Sequence, residues 1–302
     1  MNKTAFLILI FLGLSIDLFA YPISPRPLRK LVMDSEYIIV GYVSKTYDRK
    51  KDKDDWGTKV AKIAVLERLQ GNIKEDTIEI SFTPNMICPA PDRYFDSTFV
   101  ISFINKRDGK YHTCALSYGA KTLEQKEIEI YKTRIFEIQS LLKITDKEKQ
   151  YQEIVEWLVK CAENETTRWE GVFELSPESD FMSYYSRDKK EDFKNVLTTS
   201  QKERLKIALL NTDTISYDDF GLVDLVYKGN EKQIDELLIN GLKTLTEEDF
   251  WFADNFMVRL KHRNKSKDMK AILEEYDKLQ FEYDKKDELK KLIDRFIKLI
   301  EK

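Results

Sequence analysis

The feature that most limits the fold is a change of hydrophobic period near residue 145. From Ser35 to Leu116 apolar side chains recur mainly every second position; from Thr145 onward they recur every third or fourth. A strand buries alternate residues and a helix buries one stripe, so the two stretches cannot share one architecture. We therefore read an α+β, two-domain chain, with a β-rich domain over 21–145 and an α-helical domain over 146–302. The 302 residues are 42% apolar, enough to give each half a core.

In the first half, Tyr37-Ile-Ile-Val-Gly-Tyr-Val43 reads as a mostly buried strand leading into a polar loop, Asp48–Trp56. Val60–Leu69 alternates, as do Ile78, Ile80 and Phe82 against Thr77, Glu79 and Ser81. Phe99–Ile104 and Tyr111–Leu116 read as a hairpin turning at Asp108-Gly109. A helix follows, with Ile128, Tyr131, Ile135, Ile138 and Leu142 on one face. Five strands with a flanking helix suit a small closed barrel of the OB type.

In the second half, amphipathic faces recur at Ile234–Leu242, Met269–Tyr276 and Leu289–Ile300. Capping boxes are expected at Thr145/Glu148, Ser200/Glu203, Ser216/Asp219 and Thr246/Asp249, where hydroxyl and carboxylate satisfy the first orphan N–H groups. Glu163–Arg187 lacks a helical period and reads as an irregular connector. Successive helices with short loops suit a helical bundle or a short helical-repeat array.

Residues 1–20 read as a signal peptide. Lys3 precedes an apolar run from Ala5 to Ile16, and Leu18-Phe19-Ala20 offers a small residue for cleavage near Ala20. The run is shorter than the ~20 residues a spanning helix needs, and no later run approaches that length. No Cys stands near the cleavage site to carry a lipid anchor. The mature chain is thus expected to be secreted or periplasmic, without a transmembrane segment.

Export places Cys88, Cys114 and Cys161 in an oxidising compartment. Cys88 and Cys114, both in the strand-rich half, are expected to form a disulfide, with Cys161 free and buried. Three unpaired buried thiols are the alternative.

Charge excludes some functions. Fifty Lys+Arg against 53 Asp+Glu give a net charge of −3, which argues against binding nucleic acid by neutralising phosphates. Two His and three Cys are too few for most structural zinc sites. Residues 21–145 carry 21 basic and 17 acidic side chains, net +4; residues 146–302 carry 28 and 35, net −7.

The β half resembles the netrin-like module, the OB-fold barrel shared by tissue inhibitors of metalloproteinases and complement C-terminal modules. The resemblance runs over about 34–140: Tyr37–Val43, Lys62–Gly71, Cys88, Tyr94–Ile104, Asp108-Gly109-Lys110 and Cys114. It implies the fold only. Those inhibitors chelate their target's zinc through an N-terminal Cys-x-Cys, and the expected mature start, Tyr21-Pro-Ile-Ser-Pro-Arg-Pro, has no Cys.

Catalytic signals are absent from the sequence. There is no GxSxG elbow and no Gly-rich phosphate loop; His112 alternates with Cys114 on a strand but has no HxH, HExxH or spaced Cys pair around it, and neither it nor His262 sits in a recognisable triad context. His262, in Arg259-Leu-Lys-His-Arg-Asn-Lys265, suits a basic helix end. We expect no catalytic residue, no cofactor and no metal. Asp92, Arg93, Tyr94, Phe95 and Trp169 are the candidate interaction surface, whereas Phe250-Trp251-Phe252 and Phe256 are expected to be core. The function expected is a non-enzymatic protein that binds another envelope or extracellular protein. The alternatives are an envelope hydrolase with an interdomain site and a protease inhibitor acting through the barrel loops.

Overall fold

In the computed structural model of the chain, residues 24–49, 58–85, 90–180, 193, 196–229, 231–282 and 284–301 are described. The expected signal peptide, Cys88 and most of the Asp48–Trp56 loop lie outside them. The chain divides into two compact units, the first ending at Ser140 and the second beginning at Leu141.

The first unit is a closed barrel. Its strands are β1 (Tyr37–Asp48), β2 (Lys59–Gln70), β3 (Thr77–Phe82), β4 (Thr98–Arg107), β5 (Lys110–Thr113) and β6 (Ala120–Leu123). Five of them close a ring in the order β1-β2-β3-β5-β4, with β4 returning to β1. The β3–β5 pairing is parallel; the others are antiparallel. The sixth strand, β6, pairs with Phe99–Ser102 of β4 on the edge that β5 occupies from Ile104 to Arg107. This is the OB-like topology that the alternating pattern implies.

Closure needs strands that bend, and the β1–β2 pair supplies them. Its register slips at Ile38/Ile39 and Val40/Gly41, where β2 carries the extra residues Leu69 and Leu66, and at Val43/Lys45, where β1 carries the extra Ser44. Gly41 allows the bend, because a Cβ there would lie 2.4 Å from Ile63 Cγ2 on β2. Ile39, Val43, Ile63, Ile78, Ile80, Val100 and Ile104 form the core. Ile38 and Val40, on the other face of β1, are buried as well. Both faces are covered, which explains the unbroken apolar run from Tyr37 to Val43. The β4–β5 turn places both Asp108 and Gly109 at positive φ, as a two-residue Asp-Gly hairpin requires.

Two helices belong to this unit, α1 (Leu28–Asp34) and α2 (Gln125–Leu141, whose last residue falls past the unit boundary). Both are tied to the end of β2. Gln70 Nε2 donates to the Val32 and Ser35 carbonyls at 3.2 and 2.6 Å, serving orphan acceptors at the end of α1. Gln139 of α2 donates to the Leu69 carbonyl and to Gln70 Oε1.

The second unit is helical: α3 (Lys147–Glu163), α4 (Arg168–Leu175), α5 (Thr199–Leu210), α6 (Phe220–Val226), α7 (Lys232–Thr244), α8 (Ala253–Leu260), α9 (Lys267–Leu279) and α10 (Lys286–Ile300). Chain neighbours pack together: α3 with α4 and α5, α5 with α6, α7 with α8, and α9 with α10. The stretch expected as an irregular connector contains α4. Its pattern is hidden because Arg168, Glu170 and Glu174 are buried charged residues that interrupt the apolar stripe. Gly171 brings α4 against the backbone of α3, where a Cβ would stand 2.2 Å from the Leu158 carbonyl oxygen.

Caps move by one or two residues from the expected positions. Asp146, not Thr145, caps α3, accepting from Lys149 N, and Thr198 with Gln201 forms the box on α5. Ser216/Asp219 is a capping box as expected, and Thr246 donates through N and Oγ1 to Asp249.

Candidate functional site

The loop before β4 carries four of the expected surface residues and divides them. Asp92 and Tyr94 turn inward and are buried; Arg93 and Phe95 face solvent, Phe95 being 53% exposed. Thr46 N donates to Asp96 Oδ1 at 2.6 Å and Ser97 N to the Val43 carbonyl at 2.8 Å, pinning the loop to β1.

The inward pair meets Thr113 at the end of β5. Thr113 Oγ1 donates to Asp92 Oδ2, and Tyr94 OH lies 2.7 Å from Thr113 Oγ1. With the threonine proton committed to the carboxylate, the tyrosine is the donor of the second bond. Burial pushes the Asp92 carboxyl above its usual range, and the Thr113 bond opposes that rise. Burial also pushes the Tyr94 phenol up, helped by the charge of Asp92. The hydroxyl and phenol are spent on holding the loop, so this is a clamp and not a nucleophile with its base.

Cys114 corrects an expectation. Its thiol is free and buried beside Ser35 and Asn105 in the barrel unit, so the expected pairing with Cys88 is not seen at its Cys114 end. Cys88 itself lies outside the described residues. Burial pushes the Cys114 thiol pKa up, which keeps it protonated and unreactive. Cys161, at 0% exposure, is buried and not in a disulfide.

Trp169 is half-buried on α4. Its Nε1 donates to Asp180 Oδ2 at 3.0 Å and its ring packs on Phe173 at 5.2 Å. Those contacts anchor the indole on α4.

His112 and His262 lie in different units. His262 lies in the turn that follows α8, with partners distant in the chain. Buried Asp235 accepts from Tyr227 OH and from Arg263 Nη1 at 3.0 Å, with His262 Nε2 at 3.5 Å. His262 Nδ1 is 2.9 Å from the Arg259 carbonyl oxygen, and Arg259 forks onto Asp224 at 2.8 and 2.7 Å. Burial, then the Asp235 bond, push the Tyr227 phenol up. The network ties α7 to the turn after α8. Among the described residues, no group of three or more His, Cys, Asp or Glu is placed to hold a metal.

A groove in the helical unit presents unspent apolar surface. Phe250, Trp251, Phe281 and Leu289 line a concavity of about 460 Å³. Trp251 is 43% exposed and Phe281 76% exposed. Phe250, Phe252 and Phe256 of the same cluster are core as expected, and Trp251 is the exception. Its ring is braced by Tyr217 at 5.3 Å and Phe252 at 5.0 Å, so it stands as a rigid wall. Glu247, Glu248, Glu282 and Lys286 rim the opening. Phe281 was legible only as an aromatic lying past the last periodic residue of α9.

No protein-family model matches the chain, and no curated protein matches it in sequence. The fold defines its class: an OB-like closed barrel with a flanking helix, followed by a helical region. No helix among the described residues is long and apolar enough to cross a membrane.

Proposed function

We propose that the chain is an exported, non-enzymatic protein of the cell envelope that binds another protein, with a netrin-like barrel as its first domain. The observation that carries this reading is the Trp251–Phe281 groove, a concave apolar surface left open to water beside the buried Phe250 and Leu289. Large aromatics exposed in a concavity are what a partner's side chains bury at a binding hot spot. The apolar N-terminal run ending at Ala20 supports export. The barrel's strand order is compatible with the netrin-like module.

The test compares two full-length baits, wild type and the double variant Trp251→Ala/Phe281→Ala, against envelope extract of the source cells. A partner retained by wild type and lost with the variant is expected. A bound set identical for both baits overturns the reading. N-terminal sequencing of the exported form should begin at Tyr21.

A second reading, protease inhibition through the barrel loops, is favoured by Arg93 and Phe95. Both face outward from a segment pinned to β1 at Asp96 and Ser97, the rigid presentation that an inhibitory loop needs. Slowed cleavage in a panel of serine, cysteine and metalloproteases, lost with Phe95→Ala, would support it.

A further inference from the structure

We propose that the Trp251–Phe281 groove receives a basic segment of its partner, one in which large apolar anchors are flanked by Lys or Arg. This rests on the protein-binding reading and names the chemistry of the occupant. Three carboxylates, Glu247, Glu248 and Glu282, stand on the rim against one ammonium, Lys286, a rim charge of −2. Lys286 is itself 4.0 Å from Glu247, so its charge is already directed at the rim and not at an incoming acid. The wider field has the same sign, since residues 146–302 carry 28 basic and 35 acidic side chains.

Size and sign together select the occupant. At about 460 Å³ the concavity is in the range of clefts that enclose a ligand or a few anchoring side chains, so it takes a protruding segment and not a flat domain face. A second copy meeting groove to groove would set six carboxylates, three from each rim, against one another, which like-charge repulsion opposes. Anionic lipid headgroups and nucleic acid are opposed for the same reason. A segment with Leu or Phe anchors between Lys residues meets both demands: the anchors cover Trp251 and Phe281, and the ammoniums face the rim.

The experiment uses the full chain and two fluorescein-labelled probes, Lys-Lys-Leu-Phe-Lys-Leu-Leu-Lys-Lys and its counterpart with every Lys replaced by Glu. Fluorescence anisotropy should show the Lys probe binding roughly tenfold or more tightly at low salt, with the advantage shrinking as salt screens the rim. The triple variant Glu247→Lys/Glu248→Lys/Glu282→Lys should invert the preference. Trp251→Ala/Phe281→Ala should abolish binding of both probes, with the circular dichroism spectrum unchanged. Equal affinity for the two probes overturns the charge assignment while leaving the groove as a protein site. Lys-probe binding that survives Trp251→Ala/Phe281→Ala overturns the groove. Binding of neither probe overturns the basic-segment occupant, and the envelope comparison then decides the protein-binding reading by itself.

Discussion

Arg168 and Asp219 form a buried ion pair, the first at the start of α4 and the second in the turn that leads into α6. The guanidinium also reaches the Ala162 carbonyl at the end of α3 and the Thr212 hydroxyl after α5, each at 3.3 Å. Asp219 spends its other oxygen on Ser216, accepting from N at 2.7 Å and from Oγ at 2.8 Å. One side chain therefore gathers four segments of the helical unit.

Removing one partner leaves the other charge buried and alone. Arg168→Met is expected to cost the helical unit about 3–5 kcal/mol, read by urea unfolding followed through far-UV circular dichroism. Adding Asp219→Asn to that variant should recover part of the loss, because no unpaired charge then stays inside. A cost for Arg168→Met within about 0.5 kcal/mol of wild type, as for an ordinary surface change, would reject the buried pair.

Asp92 sets a pH dependence in the barrel. Burial is the largest influence on its carboxyl and holds it above the ordinary 3.8. A raised native pKa stabilises the fold below the unfolded value, and that contribution is lost as pH rises through the native value. Asp92→Asn removes the titration and can keep the Thr113 contact. The variant should therefore gain on wild type as pH rises from about 3 to about 7, read as the difference between their melting temperatures. A difference that moves the other way contradicts the burial of this carboxyl.

The strands were legible because the barrel sorts inside from outside at every second residue, as at Ile78, Ile80 and Phe82. The long helices were legible for the matching reason, each having one dry stripe. What stayed hidden follows from short length and buried charge. Helix α1 has seven residues and buries Arg29; α4 has eight and buries Arg168, Glu170 and Glu174. Neither leaves a pattern long enough to read. Caps slipped because Thr145 and Asp146 are both competent N-caps side by side, and only the chain's entry path chooses between them. Trp251 lies in a 3₁₀ turn between two buried phenylalanines, where periodicity cannot say which ring faces out.

Thiol chemistry checks the correction at Cys114. Cys114 and Cys161 are both buried and neither is in a disulfide, so the native protein should resist alkylation at both positions. Unfolding in urea without reductant should label both at once, read by peptide mass spectrometry. Labelling of Cys114 that requires prior reduction would restore the disulfide first expected.

Gly171 offers a test in which two physical effects oppose each other. Helix propensity alone makes Gly→Ala in a helix favourable by roughly 1 kcal/mol. At Gly171 the added carbon would stand 2.2 Å from the Leu158 carbonyl oxygen and 2.6 Å from the Ala162 amide nitrogen, both backbone atoms of α3. Backbone in mid-helix cannot step aside as a side-chain tip can, so α3 and α4 must separate. Their separation would also strain Thr167 Oγ1 on the Cys161 carbonyl at 3.0 Å. Overpacking of this kind costs about 1–3 kcal/mol and outweighs the propensity gain. Gly171→Ala should accordingly lower the urea midpoint of the helical unit with the slope unchanged. A raised midpoint would mean that the two helices do not touch backbone to backbone at this position.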